Sequence, residues 1–130
     1  MGACYSVTLR VKMKDEAGAI NALKELIKND TRTNYNLAKY AEQGITTETF
    51  DDLMRIFLAG WKGQEVQITD SKGYTKYQNG FDASYGWEEV MINMFKTIAP
   101  FAADKSRLLI YPDSDYCDLR IKNGECIWVH

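Results

Sequence analysis

The chain has 130 residues, of which 45% are hydrophobic and 26% charged, and its formal net charge is −2. That length suits a single domain over residues 1–130, with a core large enough to need no disulfide or metal staple. The composition excludes a disordered chain, and the slight acidic balance lacks the basic excess of a general nucleic-acid binder.

Cys4, Cys117 and Cys126 form no close pair and follow no secretory leader pattern. Free thiols in a reducing, cytoplasmic setting are expected. No apolar run reaches the roughly 18 residues of a membrane span. The start, Met1-Gly2-Ala3-Cys4-Tyr5-Ser6, fits the loose N-myristoylation pattern, which is short and frequent by chance.

From Tyr5 to Lys14 apolar and polar residues alternate. Tyr5, Val7, Leu9, Val11 and Met13 predict one dry strand face, and Ser6, Thr8, Arg10, Lys12 and Lys14 the wet one. Asp15-Glu16 then starts a helix marked by Ile20, Leu23, Leu26 and Ile27. Thr33 to Gln43 reads as a weak helix or irregular insert ending at Gly44. Thr46 is the expected cap of the next helix, with Ile45 stapled on Phe50 and a buried face of Phe50, Leu53, Met54, Phe57, Leu58 and Trp61.

Glu65–Thr69 and Tyr74–Gln78 alternate around the turn Asp70-Ser71-Lys72-Gly73, which predicts a hairpin closed by Asn79-Gly80. Asp82 to Ser84 should open the strongest helix, with Trp87, Val90, Met91, Met94, Phe95 and Ile98 in steps of three and four up to Pro100. Arg107–Tyr111 is a short strand. Tyr116–Lys122 and Glu125–His130 flank Asn123-Gly124, the preferred two-residue hairpin turn, with Lys122 facing Glu125, Ile121 facing Cys126 and Leu119 facing Trp128. The order predicts an α+β fold: a ferredoxin-like βαββαβ antiparallel sheet with a helical insert after the first helix and a C-terminal β-hairpin extension. Strand one is then central, and its polar face is left uncovered.

Several constellations have chemical potential. Asp113, Asp115 and Asp118 offer oxygen ligands for a divalent cation, but the loop lacks the glycine and distal glutamate of an EF-hand, and a solvated turn explains them more simply. Glu88 and Glu89 suit the positive end of a helix, and one of them could join the aspartates in acid–base work only if the fold gathers them. Cys117 and His130 face each other in the predicted register, as a thiolate pair would, although a buried cysteine is usually a core residue. Asp82, Ser84, Tyr85 and Trp87 stand in a turn whose free amides could hold an anion and whose aromatics could wall a pocket, whereas a capped turn accounts for them without a ligand. Tyr74 and Tyr77, beside Lys72 and Lys76, could stack single-stranded nucleic acid, though aromatics in a hairpin usually pack across strands.

No strong catalytic or metal signature is present, and no cofactor is implied. The expectation is therefore a non-catalytic interaction or regulatory module, docking a protein partner or a second copy through the sheet face of Thr8, Arg10 and Lys12. The alternatives are a small-molecule or metal-dependent enzyme using the Asp82–Trp87 turn with the Asp113–Asp118 loop, and a single-stranded nucleic-acid binder.

Overall fold

The computed structural model describes residues 2–60, 66–84, 86–112 and 115–130. The alternating first segment is β1 (Gly2–Val11). Asp15 caps α1 (Glu16–Asn29) by accepting from the Gly18 amide. The insert holds α2 (Leu37–Glu42) and α3 (Phe50–Phe57). β2 (Val66–Thr69) and β3 (Thr75–Ser84) form the first hairpin. α4 (Trp87–Ile98) runs into a 3-10 turn at Ala99–Phe101, and β4 (Arg107–Tyr111), β5 (Cys117–Lys122) and β6 (Glu125–Trp128) complete the chain.

The fold is mixed α+β, built on an open antiparallel sheet of order β2-β3-β1-β4-β5-β6. The sheet has six strands, β5 and β6 extending the β4 edge, and its order is not that of the expected ferredoxin-like sheet. β1 is central, between β3 and β4. Tyr5, Val7, Leu9 and Val11 are buried, and across the ladder they meet the buried Tyr77, Asn79, Leu108 and Ile110. α1, α3 and α4 pack against one another. They close the core over this one face with Leu23, Leu53, Met54, Phe57, Met91 and Phe95.

Three sequence expectations shift. The strand predicted to close at Asn79-Gly80 continues to Ser84, because the ten-residue β1 offers a pairing partner as far as Gly2. Asn79 is tolerated on the buried face since its Nδ2 donates to the Leu58 carbonyl at 2.8 Å. The helix expected from Asp82–Ser84 begins instead at Trp87, after Gly86 has turned the chain at φ 91°. Thr49, not Thr46, caps α3, with its Oγ1 accepting from the Asp52 amide. Asp52 in turn accepts from the Thr46 amide, which fixes the approach to the helix.

α3 ends in a Schellman arrangement. The Gly60 amide donates to the Arg55 carbonyl at 2.8 Å, and the Ala59 amide to Ile56 at 3.4 Å. Ala59 takes the left-handed position at φ 53°, where glycine is the usual residue because a Cβ crowds the carbonyl. Removing that Cβ relieves about 1–2 kcal/mol of strain, and the freer unfolded glycine returns part of it. Ala59→Gly is therefore expected to raise the unfolding free energy by about 0.5–1 kcal/mol, read from urea melts at unchanged slope.

Candidate functional site

Two places gather the residues that the sequence marks. The first is the sheet face opposite the helices. Ladder pairing puts Thr8 and Arg10 beside Gln78 and Lys76 on one side and Leu109 and Arg107 on the other. Arg120 and Ile127 follow outward. Arg10 donates through Nε and Nη2 to Asp70, and its guanidinium lies 3.9 Å from the Tyr74 ring centroid. Lys12, just past β1, approaches the same ring at 6.0 Å while its Nζ donates to the Lys72 carbonyl. The structure thus brings Thr8, Arg10 and Lys12 together. It separates Tyr74 from Tyr77, which points into the core and donates to Asp51. The expected pair of stacking tyrosines is not formed, because the two positions differ by an odd number of residues.

Sequence reasoning missed the outer half of this face. Asp118 is only 5% exposed, and Arg107 grips it as a fork, Nε to Oδ1 at 3.1 Å and Nη2 to Oδ2 at 2.8 Å. Arg120 adds a contact at 3.5 Å. Beside them Tyr111, Tyr116 and His130 form a three-ring stack, with centroids 5.5 and 4.1 Å apart. The signal was present as arginines in phase with Arg10, but only the strand register shows that they converge.

The second place is a cavity of about 360 Å³ beside the C-terminal end of β3. It unites Asp82 and Trp87 with residues of the insert, Tyr35, Asn36 and Tyr40, and with Ala59. The Trp87 Nε1 donates to the Phe57 carbonyl at 2.9 Å, and its ring meets Tyr35 edge-on at 6.2 Å. Phe81 stacks on Tyr5, whose hydroxyl donates to Glu88. Asp82 is exposed and accepts from the Cys4 thiol at 2.9 Å. As a paired residue of β3 it caps no helix. The Ser84 side chain and Tyr85 lie outside the described residues, as does Trp61.

The acidic loop is not gathered. Asp113 lies outside the described residues, Asp115 meets the His130 ring at 3.2 Å, and Asp118 is held by the arginines. Among the described residues no three His, Cys, Asp or Glu side chains come together as a metal site. Burial, then Glu88 and Asp115, push the Cys117 thiol up, so it stays protonated. His130 is engaged by Asp115 and Tyr116, so the expected Cys117–His130 arrangement gives no activated nucleophile. No helix is long and apolar enough to cross a membrane among the described residues.

Arg107 hydrogen bonds hold Asp118 below the ordinary aspartate range, and Asp30 and Asp70 are lowered likewise by Thr33 and by the Tyr74 amide. A depressed carboxyl stabilises the fold above its unfolded value of about 4, and this is lost as pH falls through the folded value. Burial first, then Glu88, pushes the Tyr5 phenol up to about 12. That contribution is complete below the unfolded value of about 10 and is lost as pH rises further. Urea midpoints should therefore fall below about pH 4 and above about pH 10. Asp118→Asn should flatten part of the acid limb and cost about 1–2 kcal/mol at neutral pH, while Tyr5→Phe should flatten part of the alkaline limb. Comparison with protein-family models, characterised proteins and solved structures gave no match, so a function must be argued from this geometry.

Proposed function

We propose that the chain is a small non-catalytic interaction module whose uncovered sheet face docks an acidic, partly apolar segment of a partner protein. The observation that carries this reading is one-sidedness: the helices pack on one face and leave the other to side chains alone. Among the described strand residues that face presents Arg10, Lys76, Arg107, Arg120 and Lys122 against Asp82, Asp118 and Glu125. A chain of net charge −2 thus turns a locally basic surface outward.

The face is not purely polar. Ile68, Tyr111 and Ile127 are about half exposed on it, with Leu109 between them. Arginine and tyrosine among exposed aliphatics is the composition of a protein-binding hot spot more than of a merely solvated sheet. Asp118 pre-organises Arg107, since its carboxylate occupies one fork and leaves the remaining N–H groups in fixed directions. An acidic strand or loop would meet these donors while apolar side chains cover Tyr111 and Ile127.

Two finer readings accompany this one. We read β1, α1, β2, β3, α4 and β4 as a ferredoxin-like unit, with α2 and α3 inserted and β5 and β6 added at the edge; the central place of β1 supports it. We also read the setting as cytoplasmic, which three cysteines outside any disulfide support.

The test is a titration of isotope-labelled protein with an acidic peptide carrying leucine and phenylalanine, and separately with a single-stranded oligonucleotide. The expected result is peptide-induced shifts at Thr8, Arg10, Lys76, Arg107 and Arg120. A Tyr111→Glu, Ile127→Asp double variant should lose about tenfold or more in affinity. Shifts confined to the helices, or no binding of either probe, contradict the proposal. Preferential oligonucleotide binding with a steep salt dependence replaces it with the nucleic-acid reading.

A further inference from the structure

We infer that the docked segment crosses the strands at right angles, as an extended stretch of about nine residues with acids at alternate positions and an apolar residue at each end. The inference rests on the docking reading above and gives it a direction and a pattern.

The observation is a single register row. Every strand gives it one open-side residue, in the order Ile68, Lys76, Arg10, Arg107, Arg120 and Ile127, each the direct ladder partner of the next. Four cations thus stand side by side between two isoleucines at the sheet edges. Ile68 is 55% exposed and Ile127 44%. Like charges directly opposite one another destabilise a sheet, and this row holds three such junctions. Among the described residues Asp70 bonds Arg10, while Asp118 is shared by Arg107 and Arg120. Two carboxylates therefore answer four cations, and an acidic partner would neutralise the excess.

The neighbouring rows fix the direction. The next row holds Gln78, Thr8, Leu109 and Asp118, and beyond it come Gly80, Ser6 and Tyr111. None of these is a cation. On the other side Lys122 faces Glu125, and Lys12 donates to the Lys72 carbonyl. A segment lying along β4 meets Arg107, then Leu109, then Tyr111, and so one positive charge. A segment lying across the strands meets all four.

The spacing gives the pattern. Adjacent strands lie about 4.8 Å apart, so the row is about 24 Å long and its cations span about 14 Å. An extended chain sets same-side side chains about 6.8 Å apart. With three alternate acids centred on the row, the outer two fall over Lys76 and Arg120 and the middle one between Arg10 and Arg107. The same-side positions beyond them reach Ile68 and Ile127. Each strand is also rotated by roughly 20° from its neighbour, so the row follows a twisted line that an extended segment can track and a straight helix cannot.

The experiment compares two peptides of one composition on the full chain: Leu-Ser-Glu-Ser-Glu-Ser-Glu-Ser-Leu and Glu-Glu-Glu-Ser-Ser-Ser-Ser-Leu-Leu. The alternating peptide should bind about fivefold tighter or more. Nitroxide labels at its two ends should relax opposite members of the methyl pair Ile68 and Ile127. Lys76→Gln and Arg120→Gln, at the two ends of the cation row, should each weaken it about threefold or more, and Lys122→Gln, off the row, less than about twofold. Equal affinity of the two peptides on the open face, or labels that leave both Ile68 and Ile127 unrelaxed, overturns the crossing while the docking face stands. No binding of either peptide on the open face overturns both.

Discussion

The rest of the structure hangs on the one-sided burial of β1. Val7, Leu9 and Val11 are almost wholly removed from water, at 0–2% exposure, and they lie between β3 and β4 beneath the helices. Full burial of such a side chain contributes about 1.5–3 kcal/mol, against about 0–1 kcal/mol for an exposed ion pair. The apolar set therefore decides which way the strand faces, and Arg10 with Asp70 merely decorates the result. A one-residue slip would carry the whole set into solvent, so the register is fixed with it. Once β1 is fixed, the alternation along its neighbours assigns Arg107, Leu109 and Tyr111 to the open side.

The polar groups described on the helix side of the sheet have partners. Asn79 bonds the Leu58 carbonyl, Tyr77 bonds Asp51, Tyr5 bonds Glu88 and Tyr35 bonds Asp30. An unpaired buried hydroxyl or amide would cost about 1–3 kcal/mol, so these bonds constrain where each ring can lie. Tyr35 of the insert also meets the Trp87 ring edge-on, so the insert is tied to the start of α4 as well. Both places depend on β1, which creates the open face and whose pairing with β3 sets Phe81 on the helix side and Asp82 on the open side at the end of the sheet.

Much of the fold was legible. The alternation of β1, the period of α4 and the Asn123-Gly124 hairpin with its register all depend on local pattern, and local pattern is what one sequence displays. The misplaced boundaries have physical reasons. Gly80 and Asn79 look like a stop, yet a long partner strand and one side-chain bond to Leu58 outweigh that signal. Thr46 reads as the cap on paper, yet Thr49 takes that place by accepting from the Asp52 amide, while the Thr46 amide donates to the Asp52 carboxylate. The site was legible only in fragments. Thr8, Arg10 and Lys12 were found because they share a strand, and Asp82 and Trp87 because they share a segment. Arg107, Asp118 and Arg120, or Tyr35 with Phe81, are joined only by tertiary pairing across unrelated spacings.

The central claim is that the sheet is covered on one face and open on the other. Relaxation of leucine and isoleucine methyl groups by a soluble paramagnetic gadolinium complex tests it directly, because neighbouring residues on single strands report opposite faces. Leu108 and Ile110 should be protected, together with Leu9, while Leu109, Ile127 and Ile68 are strongly relaxed. Protection of Leu109 and Ile127 equal to that of Leu108 would mean that the second face is covered, and it would contradict the account.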